Sequence, residues 1–154
     1  MKTSKSFSQL LRFIDKVSPP EQVLAHCDIP CGVYETDSAM WAVETCEKLV
    51  KKLHELQPHA QSGPEYLEYL NSVSRAVAVK EEYAEICKRQ LWILWTDYFK
   101  TEHLIKWPDL HEKIWKATKQ CSMVKRTVSV DACAQLRLMV AEIADIFAAS
   151  KQPA

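Results

Sequence analysis

One stretch limits what this chain can fold into more than any other. Between Pro64 and Phe99 the residues Leu67, Leu70, Val73, Val77, Ala84, Cys87, Leu91, Leu94 and Tyr98 follow helical spacing, and no proline or glycine interrupts them. Apolar side chains returning every three or four residues form one face of an α-helix. Such a helix gains most of its stability by burying that face against other elements. The spacing therefore predicts a helix over 64–99 as the spine of a helical bundle.

The rest of the chain supplies partners for it. Thr36 or Asp37 can cap a helix over 36–56, with Trp41, Cys46, Leu49, Val50, Leu53 and Leu56 on its inner face and Pro58 closing it. Ser62-Gly63-Pro64 is a start signal that puts proline at the first helical position. Trp107-Pro108-Asp109 marks another boundary, after which Leu110, Ile114 and Trp115 line a helix over 109–120. Val128, Ala132, Leu136, Met139, Ile143 and Phe147 describe a last helix over 128–149. Only 127–130 is ambiguous between strand and helix. With 154 residues, one domain's worth of chain, the packing solution is an all-α, antiparallel four-helix bundle. Five tryptophans and five tyrosines exceed what one small core needs. Aromatic surface packed against another subunit is the expectation, and a bulky core is the competing reading.

Ahead of the bundle, Phe7, Leu10, Leu11 and Ile14 form a short apolar stripe that Pro19 and Pro20 end. That segment reads as a docking arm covering the core or as a removable leader. Its first 25 residues hold four bases (Lys2, Lys5, Arg12, Lys16) against two acids (Asp15, Glu21), although the whole chain is formally neutral. Arg12, Asp15 and Lys16 break any apolar core of a secretory signal, and no run is long enough to cross a bilayer. A cytoplasmic protein is expected, with no membrane partner. No basic block of the kind that holds nucleic acid is present. Six cysteines are too few for a small secreted disulfide scaffold. Cys46, Cys87, Cys121 and Cys133 fall within helical patterns and read as core or half-buried thiols.

The remaining two cysteines sit in His26-Cys27-Asp28-Ile29-Pro30-Cys31-Gly32-Val33-Tyr34, which also holds one of the two glycines. Zinc would want four ligands, and no second paired cluster exists. A redox dithiol would more usually be spaced Cys-x-x-Cys at a strand-to-helix turn. Pro30 and Gly32 argue for a loop that wraps back on itself. Two thiolates in such a hook make a soft, compact half-site for a metal, with the other donors left to histidine and backbone nitrogen.

This nine-residue stretch resembles the nickel hook of nickel-containing superoxide dismutases. The similarity continues through Ser74-Arg75-Ala76, Val79-Lys80-Glu81, Leu94-Trp95-Thr96-Asp97-Tyr98-Phe99-Lys100 and Trp107-Pro108-Asp109-Leu110-His111, so it covers nearly all of the chain from His26. The resemblance implies a precursor cut between Ala25 and His26 by a maturation protease. Residues 1–25 would be a leader and 26–154 the enzyme, with the hook at 26–34. It further implies one nickel ion per subunit, held by the thiolates of Cys27 and Cys31, the freed His26 amine and the Cys27 amide nitrogen. The His26 imidazole would be axial in the oxidised state. Cycling between Ni(II) and Ni(III) would convert superoxide and protons to dioxygen and hydrogen peroxide. In the same way Tyr34 is implied to gate the open face, Lys100 to draw in the anion, and Asp97 and Tyr98 to pack beneath the hook. A homohexamer is implied as well.

The chain departs from the family pattern beside the hook. The glutamate that supports the axial imidazole is matched by Glu44, but only after a two-residue insertion following Tyr34. The arginine behind it falls on Tyr83, which brings no positive charge. Two other functions compete: a nickel or copper carrier using the same hook, and a helical interaction protein whose two hook cysteines form an incidental disulfide. Tyr34 and the segment Leu94 to Lys100 favour the enzyme, because a carrier needs no substrate gate or rigid bed beneath the metal.

Overall fold

A computed structural model describes residues 32–151. Its elements are α1 (Asp37–Glu55), α2 (Pro64–Ile93), a π-helical turn (Leu94–Tyr98), α3 (Thr101–Lys106), α4 (Leu110–Arg126) and α5 (Val130–Ser150). No strand occurs among the described residues, and 127–129 form an irregular link. The stripe of Phe7, Leu10, Leu11 and Ile14 lies outside the described residues.

α1 packs on α2 and α5, and α4 packs on the same two helices. Contacts between sequence-distant residues set the directions. Glu47 on α1 meets Arg137 on α5, while Tyr34 just before α1 meets Lys151 just after α5, so these helices are antiparallel. Lys80 on α2 reaches Val124 on α4, and Gln120 on α4 reaches Ala132 on α5. The result is the antiparallel four-helix bundle expected from the spacing. Val43, Cys46 and Val50 from α1, Ala84, Cys87 and Leu91 from α2, Ile114, Cys121 and Val124 from α4, and Leu136, Val140 and Ile143 from α5 fill its centre. All four described cysteines are buried thiols in this core.

The helix ends follow local chemistry. Thr36 is the N-cap of α1 but its side chain makes no capping bond. The Glu35 carboxylate does that work, accepting from the Ser38 amide at 2.9 Å. Pro64 takes the first turn of α2 behind Gly63, whose φ of 83° is a left-handed value that glycine adopts without strain. At the other end of α4, the ammonium of Lys80 enters the bundle and donates to the carbonyls of Val124 (2.6 Å), Lys125 (2.7 Å) and Thr127 (3.0 Å). Three donors meet three acceptors at a helix C-terminus, where the last carbonyls lack partners and attract positive charge. Lys80 is only 1% exposed, yet it is fully used.

Several sequence expectations need correction. α4 continues to Arg126, beyond residue 120, because Cys121 and Val124 extend its buried face. The spine ends as α-helix at Ile93, and the π turn carries it to Tyr98. Trp41 and Trp115, expected to face inward, are 56% and 54% exposed. Small residues took the inward places: Ala39 and Ala42 on α1, and Ala117 on α4. Leu67 and Leu70 are also exposed, since the first buried residue of α2 is Ala76. Val128 precedes α5 and is exposed. Trp92 is 45% exposed, so the tryptophan surplus is on the surface.

Candidate metal centre

The described chain begins where the proposed hook meets the bundle. Gly32 has φ 81°, so the backbone turns there through a region that side chains resist. Val33 is exposed, and Tyr34 is half-buried against the core. The Tyr34 ring lies 5.5 Å from the Tyr98 ring, tilted by 57°. The structure thus joins the expected gate to the expected packing segment.

The π turn is what presents Tyr98. The Phe99 amide donates to the Leu94 carbonyl five residues back at 2.9 Å, a wider loop than the α-helical bond. One step earlier, the Thr96 hydroxyl takes the Trp92 carbonyl at 2.8 Å. A wide turn of this kind changes the direction in which following side chains leave the helix, and π turns are frequent at functional sites. Here Leu94 faces the core, Trp95 leans on His111 at 5.1 Å, and Tyr98 enters an aromatic group. Tyr98 meets Phe147 edge-on at 4.6 Å, Phe99 at 5.1 Å, and stacks on His103 at 5.7 Å with planes 8° apart. His103 is itself fixed, because its Nδ1 accepts from the Lys100 amide at 2.9 Å. That bond requires the lone pair on Nδ1.

Lys100 is exposed and caps the start of α3, two residues after Tyr98. Its side chain therefore stands on the surface, two residues along the chain from Tyr98. Glu44 is placed differently. It lies seven residues beyond Asp37, about 10 Å of helix rise, and turns toward α5. There its Oε1 is 3.3 Å from Nη1 of Arg137. Arg137 also grips Glu47 with both remaining nitrogens, Nε at 2.8 Å and Nη2 at 2.6 Å. This fork-on-carboxylate bond holds Glu47 below the usual carboxylate range and pushes Arg137 further up. Tyr83 makes no substitute for an arginine here. Its ring packs edge-on against Trp41 at 5.1 Å. Positive charge next to Glu44 comes from α5, a partner that sequence reasoning missed. Its only signal was a basic residue between Leu136 and Leu138, the one cation in α5.

The metal donors expected at His26, Cys27 and Cys31 lie outside the described residues. The described residues nevertheless test whether any other site could serve. No group of three or more histidine, cysteine, aspartate or glutamate side chains among them could hold a metal ion. Burial pushes the Cys46 thiol up to about 12, and Cys133 is raised chiefly for the same reason. A hydrogen bond with Cys121 pushes Cys87 up further still. Metal ligation and nucleophilic attack both need the thiolate, so these core thiols are unsuited to either. Cys121 is buried in the same core. Two thiolates with nitrogen partners, as Cys27 and Cys31 would offer, suit a square-planar divalent metal such as nickel.

Comparison with known proteins bears on the same point. A family model described as nickel-containing superoxide dismutase matches residues 21–151. A nickel superoxide dismutase of Streptomyces coelicolor is 35% identical over 109 residues, covering 70% of this chain and 74% of that relative. One from Streptomyces seoulensis is 32% identical over 135 residues, covering 88% and 95%. Among solved structures, native nickel superoxide dismutase superposes with a TM-score of 0.69 at 29% identity, over 82% of this chain and all of that one. The form with nickel ligation of the oxidised state gives 0.71 at 30%, over 83% and all. No helix among the described residues is long and apolar enough to cross a membrane.

Proposed function

The chain belongs to the nickel-containing superoxide dismutase family, and from that membership we infer that it converts two superoxide anions and two protons to dioxygen and hydrogen peroxide. One nickel ion per subunit supplies the electron exchange, by alternating between its divalent and trivalent states. His26, Cys27 and Cys31 are the residues that would hold it, since the other four cysteines are buried in the core. Cleavage between Ala25 and His26 would free the amine that completes the donor set, making residues 1–25 a leader and 26–154 the working domain.

The protein's own groups then have separate tasks. Lys100 attracts the anion, and Tyr34 with Tyr98 narrows the approach so that larger solutes stay away from the hook thiolates. Glu44, braced by Arg137, is the group that would support the His26 imidazole. The observation that carries this reading is the Tyr34–Tyr98 contact, which joins Tyr34 to the segment Leu94 to Lys100. Three exposed tryptophans, Trp41, Trp92 and Trp115, support assembly with further copies, a homohexamer by family likeness. The absence of a membrane-crossing helix among the described residues fits a cytoplasmic enzyme.

Intact-mass analysis of protein produced in cells supplied with nickel tests the reading. Loss of residues 1–25 together with one bound nickel per chain is expected. A retained leader with zinc in the loop would overturn it.

A further inference from the structure

The last turn of α5 closes on both tyrosines at once. The Ser150 hydroxyl is 2.7 Å from the Phe147 carbonyl and 2.7 Å from the Tyr98 hydroxyl. A carbonyl can only accept, so the single proton of Ser150 goes to Phe147. Tyr98 must then be the donor in its bond to Ser150. The next residue, Lys151, donates from Nζ to the Tyr34 carbonyl at 3.3 Å. The same ammonium lies 4.0 Å from the centre of the Phe147 ring, which in turn meets the Tyr98 ring at 4.6 Å. One helical turn thus touches the backbone of one tyrosine and the hydroxyl of the other.

We propose that Ser150 and Lys151 are positioning residues for the superoxide reaction, Ser150 by fixing the direction of the Tyr98 hydroxyl proton and Lys151 by anchoring the backbone where the hook joins the bundle. This rests on the function assigned above. With its proton committed to Ser150, the Tyr98 oxygen can only accept from a water or peroxide approaching it. Removing the serine hydroxyl releases that proton to rotate, and the polarity of the approach is lost. Lys151 acts on the other wall: without its bond the Tyr34 segment can shift relative to Tyr98. Misplacement by about 1 Å costs roughly 100-fold in rate when it affects reacting groups directly. A smaller loss, about tenfold in turnover, is expected for either positioning residue.

The test uses the matured full domain in two states. In the nickel-free protein, ultraviolet resonance Raman difference spectra between wild type and Ser150→Ala should show one tyrosine ceasing to donate, and Ser150→Thr should restore it. Hydrogen exchange of amides 33–36 should quicken in Lys151→Met and stay unchanged in Lys151→Arg. In the nickel-loaded protein, Ser150→Ala should lower turnover about tenfold in the wild-type background and cost nothing further in Tyr98→Phe. An unchanged Raman difference, or an equal loss in the Tyr98→Phe background, overturns the role of Ser150. Unchanged exchange in Lys151→Met overturns that of Lys151. Wild-type protein that binds nickel but shows no turnover overturns the assigned reaction, and with it the reaction these residues serve. The nickel-free measurements read their geometry separately.

Discussion

Arg137 Nη1 stands 3.3 Å from Glu44 Oε1, while the rest of the same guanidinium holds both oxygens of Glu47. One cation on α5 therefore orders two carboxylates one turn apart on α1. Replacing it with methionine would leave those like charges facing each other without a partner. For a partly exposed pair the stability cost is modest, about 1 kcal/mol. The effect on function should be larger, because Glu44 would lose the contact that fixes its direction: turnover falls about tenfold with nickel still bound. Lysine restores the charge without the fork, so Arg137→Lys should recover stability better than rate. Thermal unfolding and steady-state superoxide consumption on the same samples check both.

The same contact sets a pH dependence. The hydrogen bond from Arg137 depresses Glu47 below its unfolded value. A depressed carboxylate contributes stability that is present above its unfolded pKa and lost as pH falls through the folded one. Wild-type protein should therefore lose melting temperature between about pH 5 and pH 2, with part of that slope missing in Arg137→Met. Equal slopes in the two proteins would show that other carboxylates carry the transition.

Lys80 carries a structural prediction. Its ammonium satisfies three carbonyls at the end of α4 and holds the turn into α5. Lys80→Met keeps the apolar stem but strands those acceptors in a buried place. A loss on the order of 3 kcal/mol in urea unfolding is expected. Burial lowers the pKa of Lys80, so its charge is held at a cost that the three carbonyl bonds offset.

How much of this was readable beforehand differs by element. The four long helices were legible because helical spacing survives any change of partner. The true ends were not: Cys121 and Val124 continue the α4 stripe, but nothing before Thr127 marks a stop. Trp41 and Trp115 fall at inward spacing, yet the smaller alanines beside them take the buried places. The π turn depends on one widened hydrogen bond and leaves the apolar spacing intact, so periodicity cannot reveal it. Tyr34 and Tyr98, whose rings meet, were legible as a pair only through the resemblance of their segments. Arg137 lies 93 residues from Glu44, and no pattern within one sequence links them.

The core cysteines offer a chemical check that the hook alone is reactive. Cys46, Cys87, Cys121 and Cys133 are at most 1% exposed. An enzyme releasing peroxide would oxidise accessible thiolates first. Iodoacetamide applied to the folded, nickel-free domain should modify Cys27 and Cys31 and leave the other four untouched until denaturant is added. Peptide mass mapping reads each position directly. Labelling of Cys121 in the folded protein would contradict the closed core.

The central claim is that nickel held by the hook turns over superoxide once His26 is the first residue. Superoxide decay followed by its ultraviolet absorbance, after pulse-radiolytic generation, measures this with few intermediates. The nickel-loaded domain beginning at His26 should remove superoxide catalytically, with the Cys27→Ser/Cys31→Ser double variant at the spontaneous rate. Decay no faster than that of the double variant, from protein shown to carry one nickel per chain, would contradict the account.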